Sequence, residues 1–472
     1  MARATTTRSP WTVLVSTSLA VFAVFLDTTI LFVAFPAIRA DFSDVSAASM
    51  SWVLNAYTIV FAALLIPAGR LADRVGRRRT FLTAVVLFTT ASMLCGLAPT
   101  AGLLVVARIL QAVGAAALVP SSLALVLQTF PRERIPVAVA IWGAIGAAAG
   151  AAGPTLGALV VENWSWRWAF FINLPVGIVS LLLGRRVLPE GRESNPGRLP
   201  DPFGVVLLAA GLALLAFGIV KTNDWGWTST AFIGTIAASA VLIAVFVWRC
   251  NRVSNPLLDL SLFQSRSFCW ANAAMLVYAT GFSAMFLGNV LFLTEVWRYS
   301  ILQAGLAISV GPVIVAVTAP FFGRLAGRIG QRALLVPGGL VWSSGGLLLI
   351  TRATTSSDYL GQYLPAMTLT ALGVSLILPQ LSSAAVQGLP PDRFGSGSAV
   401  NQSVRNLGQT LGVALVVALT ADLAPDNALA TFHRVWWLLV GCGLVVTALS
   451  SRLPRRVVAS TSTPVAAELV AA

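Results

Sequence analysis

The sequence predicts an all-α membrane protein built from two six-helix bundles with two inserted helices between them. Composition, the number of long apolar runs and an internal repeat predict it. The 472 residues are 57% hydrophobic and only 10% charged, with a mean hydropathy of +0.84. A soluble domain carries about 25% charged residues, so a soluble chain of this size could not cover its surface. This argues against a soluble enzyme, a disordered protein and a nucleic-acid binder. The net charge of +14 is scattered between apolar runs and does not form the basic face that nucleic acid requires. Cys95, Cys250, Cys269 and Cys442 lie far apart, and His433 is the only histidine. That pattern suits apolar fillers better than metal ligands, so no metal site is expected.

A helix needs about 20 apolar residues to cross a bilayer. Fourteen runs qualify, near 11–36, 50–69, 80–98, 102–129, 135–161, 168–188, 203–220, 229–248, 267–294, 302–323, 333–351, 360–388, 396–420 and 432–452. The first is too long for a signal peptide and carries Asp27, so it is read as a span. An even count puts both termini on one side. With the termini inside, inner segments hold 23 of the 31 basic residues and outer segments six. Arg108 and Arg405 fall inside spans. The acids divide equally, so the bias is the positive-inside asymmetry of a multi-pass protein. Trp52, Trp164, Trp166, Trp168, Trp225, Trp227 and Trp297 fall at outer ends. Trp11, Trp248 and Trp270 fall at inner ends, completing an aromatic belt.

The repeat organises the spans. GRLADRVGRR begins at Gly69 and GRLAGRIGQR at Gly323, with seven of ten positions identical. Pro120 and Pro131 recur as Pro379 and Pro390, followed by PRER in one copy and PPDR in the other. PTLGALVV at Pro154 matches QTLGVALVV at Gln409. The expected division is 1–198 for one bundle, 199–266 for an inserted pair of helices and 267–472 for the second bundle. Parallel repeats of this kind are an arrangement known from transporters.

Five stretches carry a family resemblance. They are FLDTTILFVAFP at 25–36, GRLADRVGRRR at 69–79, ARILQAVGAAA at 107–117, GAAAGAAGPTLG at 146–157 and WSWRWAFFINLPVG at 164–177. Together they resemble the major facilitator superfamily in its fourteen-helix drug:proton antiporter branch. The resemblance implies the major facilitator fold, alternating access and proton-coupled efflux across a bacterial inner membrane. It also implies that 69–79 latches the two bundles in one state, through Gly69, Asp73, Arg74, Gly76 and Arg77. The second copy has Gly327 where Asp73 stands. Gly146, Gly150, Gly153, Pro154 and Gly157 match the antiporter motif. Their spacing also makes a smooth helix face suited to close packing.

Asp27 is the only acid inside a predicted span, and an intramembrane acid marks function by default. Burial raises a carboxyl pKa and a nearby cation lowers it, so such a group is suited to binding and releasing a proton. At 1.5 Å per residue, Asp27 and Arg108 both lie ~9 Å from the outer face. Equal depth permits a proton-coupling salt bridge between them. Candidate cavity residues are Asn55, Tyr57, Gln111, Asn289, Gln380, Asn401 and Arg405, and the amides among them serve equally well as interhelical hydrogen-bond partners. With one intramembrane acid against two arginines, a dicationic substrate is disfavoured. The expected partners are a hydrophobic small molecule, protons and lipid, with the chain acting as a monomer. No cofactor is expected, the proton gradient supplying the energy. No GxxxxGK[ST] motif is present, which excludes ATP-driven export by this chain. A membrane-embedded enzyme would need an acid, histidine or metal cluster that the sequence lacks. An importer or a lipid or metabolite transporter of the same fold differs only at the first-span and fifth-span motifs.

Overall fold

In the computed structural model, residues 9–131, 134–191, 200–390, 393–424 and 426–454 are described. The arginines expected at 455–456, parts of the 189–202 link and the second and third positions of the PRER and PPDR turns lie outside them. Among the described residues, fourteen long helices follow the predicted runs. They are α1 (Pro10–Asp41), α2 (Trp52–Val75), α3 (Arg77–Gly96), α4 (Ala101–Thr129), α5 (Ile135–Asn163), α6 (Asn173–Val187) and α7 (Pro202–Val220). The second seven are α8 (Thr230–Arg252), α9 (Arg266–Leu291), α10 (Ile301–Ile329), α11 (Arg332–Arg352), α12 (Leu364–Gln387), α13 (Phe394–Leu419) and α14 (Ala428–Ser450). Thirteen are long and apolar enough to span a membrane when short flanking turns are counted with them. The fourteenth, α13, is 26 residues long but falls short in apolarity. It was expected as an apolar run near 396–420. Asn401, Gln402, Arg405, Asn406 and Gln409 interrupt it.

Five of the long helices start on side-chain caps. Thr100, Ser229 and Ser265 accept from backbone N–H groups one turn on, satisfying donors that the first turn leaves open. Ser300 and Gln303 form a reciprocal capping box at α10. Asp201 caps α7, accepting from Phe203 N and Gly204 N, and pairs with Arg249 at the end of α8. The Arg249 guanidinium holds the Asp201 carboxyl below its ordinary range. This pair staples the start of α7 to the end of α8.

The repeated loop motif has a local cause. Gly76 ends α2 and starts α3 with φ 124°, and Gly330, at the same place in the second copy, has φ 89° between α10 and α11. Those angles favour glycine over any residue with a Cβ. Both copies therefore need glycine at their eighth position to join consecutive helices by a one- or two-residue turn.

Packing follows the repeat. α1 packs against α5 and α6, α3 against α4, and α2 against α4. In the second half, α9 packs against α13 and α14, while α11 packs against α12 and α14. The halves meet where α5 packs on α10 and α2 on α13. α7 lies against both α2 and α13, at that junction, whereas α8 packs mainly on α7 and is largely uncovered by protein.

Candidate functional site

Asp27 sits on α1, where α2, α4 and α6 converge. Its Oδ2 accepts from an Arg108 guanidinium nitrogen at 2.6 Å. Its Oδ1 accepts from Gln111 Nε2 at 2.8 Å and Asn173 Nδ2 at 3.0 Å. The same arginine nitrogen donates to Gln111 Oε1 at 2.7 Å, and Arg108 Nε donates to Val53 O at 3.1 Å. Asn173 Nδ2 also reaches Ser92 Oγ at 3.0 Å, which in turn donates to Phe170 O at 2.9 Å. The guanidinium carbon lies 4.0 Å from the centre of the Tyr57 ring, a favourable cation–π distance.

Asp27 is fully buried and Arg108 is 1% exposed. Desolvating two such charges is tolerated only when their hydrogen bonds are also satisfied. Here three donors reach the carboxylate. The spacing within α4 supplies two of them, because Arg108 and Gln111 stand three residues apart on one helix face. Gln111 was expected to line the substrate cavity. It holds the carboxylate instead. Asn173 and Ser92 were not anticipated. The sequence signal for Asn173 was its place in the stretch entering the sixth span.

The glycine face of α5 lies directly on this part of α1. A Cβ added at Gly146 would come within 3.0 Å of the Phe25 ring, and one at Gly157 within 3.2 Å of Ile30 Cα. A Cβ at Gly153 would overlap Thr29. These residues bracket Asp27, so the small residues let α5 grip α1 around the carboxylate. Next to this face, α5 meets α10. A Cβ at Gly305 would overlap Ala158 and the carbonyl of Pro154. Thr155 Oγ1 and Ser309 Oγ are 2.5 Å apart, and Leu302 N donates to Glu162 at 3.3 Å. Nearby, the Phe32 and Phe286 rings join α1 to α9 at 5.2 Å. These contacts close the end of the bundle remote from the loop motifs. Toward the motif end, Val137 on α5 and Val317 and Phe321 on α10 are exposed.

Between the halves lies a narrow crevice with room for one or two water molecules, about 20 Å³. Val24, Phe25, Thr28, Tyr57, Thr58 and Phe61 form one wall, and Gln402, Arg405, Asn406 and Gln409 the other. Tyr57 and Arg405 are the predicted cavity residues found there. The α13 amides, Val24, Phe25 and Thr28 of α1 and Thr58 and Phe61 of α2 were missed, because which face of a long helix meets the other half is not written in apolarity. Thr58 and Thr410 hydroxyls, 2.6 Å apart, and Ser403 Oγ, donating to Ala62 O at 3.0 Å, join α2 to α13 beside it. Asn289 and Asn401 were expected in the cavity and do not line it. Asn289 Oδ1 accepts from Trp436 Nε1 at 3.3 Å, and Asn401 Nδ2 donates to Asn272 Oδ1 at 3.0 Å. Both are interhelical ties within the second half. Asn55 and Gln380 are buried off the crevice, and both amide atoms of Asn55 and Gln380 Nε2 have no hydrogen-bond partner among the described residues.

The 69–79 loop makes its polar contacts close to home. Asp73 pairs with Arg77 at 2.9 Å, and Arg77 also donates to Gln128 Oε1 at 3.2 Å. The Arg77 backbone N–H donates to Gly191 O at 2.9 Å, and Arg78 reaches Arg185 O at 2.8 Å. These bonds tie the loop to the ends of α4 and α6. Gly69 leaves a Cβ position 3.4 Å from Pro120 Cβ, so this close approach runs to α4. In the second copy, Gly323 and Gly327 face open space.

Residues 17–268 and 270–470 match the family model of the Major Facilitator Superfamily. The chain belongs to this superfamily. It is 36% identical over 409 residues to Multidrug resistance protein Stp of Mycobacterium tuberculosis, covering 86% of this chain and 75% of that protein. It is 31% identical over 465 residues to Cephamycin export protein CmcT of Amycolatopsis lactamdurans, covering 98% and 96%. Among solved structures, an auto-inhibited POT family peptide transporter superposes with a TM-score of 0.68 at 16% identity, covering 96% of this chain and 98% of that one. That likeness establishes the fold. The likeness to Stp and CmcT supports the drug:proton antiporter branch, and the chain is a multi-pass membrane protein of a transporter family.

Proposed function

We propose that this protein exports hydrophobic drugs, antibiotics or secondary metabolites across a bacterial inner membrane, driven by the proton gradient. Its similarity to a multidrug resistance protein and to a cephamycin exporter supports the efflux reading. The observation that carries proton coupling is the buried Asp27–Arg108 pair, held by side chains from α1, α4 and α6 and by a backbone carbonyl of α2.

The mechanism uses the cost of leaving a buried charge unpaired. With Asp27 ionised, its carboxylate draws α4 and α6 onto α1. A proton taken up at Oδ2 removes the negative charge and releases Arg108, which keeps Gln111 Oε1 and Val53 O as acceptors. α1 is then free to shift against the glycine face of α5, and α5 carries the shift to α10 across the Pro154–Gly305 contact. Loss of the proton restores the pair. In this reading the arginine-rich loop ends lie inside, where positive charge is retained, which makes the end closed by the α5–α10 contacts the outer one. In this reading 1–198 and 267–472 rock against each other as a monomer, while α7 of the inserted pair lies at their junction.

The test is proton release from purified protein on adding an exported drug, together with efflux from an overexpressing strain. Asp27→Asn should keep the protein folded, abolish drug-induced proton release and reduce efflux to the level of cells lacking the protein. Full efflux by that variant would falsify the coupling role.

A further inference from the structure

Arg405 stands on α13 at the wall of the crevice between the halves. It is partly buried, yet among the described residues it makes no hydrogen bond and no ion pair. Carboxylates are absent from the crevice lining. Asp27, next in sequence to the lining residue Thr28, is already engaged by Arg108, Gln111 and Asn173. The neighbours of Arg405 on the same helix face are Gln402, Asn406 and Gln409, one turn apart or less. Asn406 is 5% exposed, and its Nδ2 has no acceptor among the described residues. An uncompensated cation inside a helical bundle is costly, and a buried amide donor without a partner adds to that cost. Both costs disappear when an acceptor group with negative charge enters the crevice. The opposite wall is apolar and aromatic, with Phe25, Tyr57 and Phe61.

We infer that the crevice is an anion-selective substrate site, in which Arg405 pairs with a carboxylate, sulfonate or phenolate on an aromatic or hydrophobic molecule whose apolar body lies against Phe25, Tyr57 and Phe61. The inference rests on the efflux reading and narrows its substrate class. It gives the two intramembrane arginines separate tasks, because Arg108 is already occupied by Asp27. The crevice as it stands holds only water-sized space, so the halves part on the motif side to admit the substrate, and the anion meets Arg405 as they do.

The experiment compares two dyes on one xanthene frame. Fluorescein, an anion, and rhodamine 6G, a cation, are titrated by fluorescence anisotropy into full-length protein in phosphatidylcholine nanodiscs. Wild-type protein should bind fluorescein the more tightly. Arg405→Gln should weaken fluorescein about 10-fold or more, the loss of one charge-assisted contact, and leave rhodamine 6G unchanged or tighter. Arg405→Lys, which keeps the charge, should retain most of the preference. Rhodamine binding by Arg405→Gln shows that the variant is folded. If it binds neither dye, the Arg405→Lys and wild-type preferences decide. Equal fluorescein affinity in wild type and Arg405→Gln overturns the inference and leaves the efflux reading standing. Tighter wild-type binding of rhodamine 6G does the same, and wild-type protein that binds neither dye overturns both. Nanodiscs enriched in phosphatidylglycerol separate a lipid headgroup from a substrate. Displacement of fluorescein by that lipid assigns the site to lipid and overturns the substrate assignment.

Discussion

Arg108 and Arg405 are both carried into the helical bundle, one in each half of an internal repeat, and they are treated in opposite ways. Arg108 is 1% exposed, bonded to a carboxylate, an amide oxygen and a backbone carbonyl, and covered by an aromatic ring. Arg405 faces the crevice between the halves with no hydrogen bond and no ion pair among the described residues. The difference separates two jobs that a single charged site would confound. A charge whose bonds are all internal can respond to a proton, and a charge whose bonds are open can respond to a ligand. The same divergence appears in the loops. The first copy has Asp73 bound to Arg77, and the second has Gly327 facing open space, although both keep the glycine that the turn requires.

The sharpest way to break this comparison is to remove charge from the paired site. Asp27→Asn should eliminate proton-coupled efflux, read as loss of drug-induced proton release, whereas Arg405→Gln should change only which compounds elicit it. Next in size is Arg108→Gln. Stripping one partner from a buried pair costs about 3–5 kcal/mol, so the purified variant should unfold at a clearly lower temperature. The double variant Asp27→Asn with Arg108→Gln should recover part of that loss, since no charge is then left alone. If Arg405→Gln destabilises the protein as much as Arg108→Gln does, the distinction between closed and open arginines fails.

A third prediction concerns the contact through which the halves communicate. Gly305→Leu places a side chain against Ala158 and the Pro154 carbonyl, and should hold that end apart. Cysteines placed at Thr155 and Ser309, in a background without the four natural cysteines, should cross-link readily on oxidation. Adding Gly305→Leu should suppress the cross-link, and an undiminished yield would show that α5 and α10 tolerate bulk there. The smallest effect belongs to the loop. Asp73 and Arg77 are 31% and 24% exposed, and such a pair contributes about 0–1 kcal/mol. Asp73→Asn should therefore leave the unfolding temperature nearly unchanged. A latch role predicts a several-fold drop in efflux despite that, because Asp73 would be needed in the opposite state. Unaltered efflux would reduce the loop to a turn that sets topology.

The sequence by itself determined the number and order of the long helices, the repeat and the identity of the fully buried acid. Each rests on a local or periodic property. A run of about 20 apolar residues can only span or be buried, a glycine at a positive-φ turn leaves its mark in both copies, and an acid among apolar residues stands out. Even the Asp27–Arg108 contact was within reach, because helix rise converts sequence position into depth. Only the tertiary structure decided the partners around that contact and the faces of the cavity. Gln111 moved from the cavity to the carboxylate, Asn289 and Asn401 proved to be ties between helices, and Gln402, Asn406 and Gln409 came to the crevice. The physical reason is rotation. Depth along a helix follows from counting residues, but the face a helix turns toward its neighbours is set by packing of side chains from distant parts of the chain. An amide has the same hydropathy whether it meets another helix, a carboxylate or an open crevice.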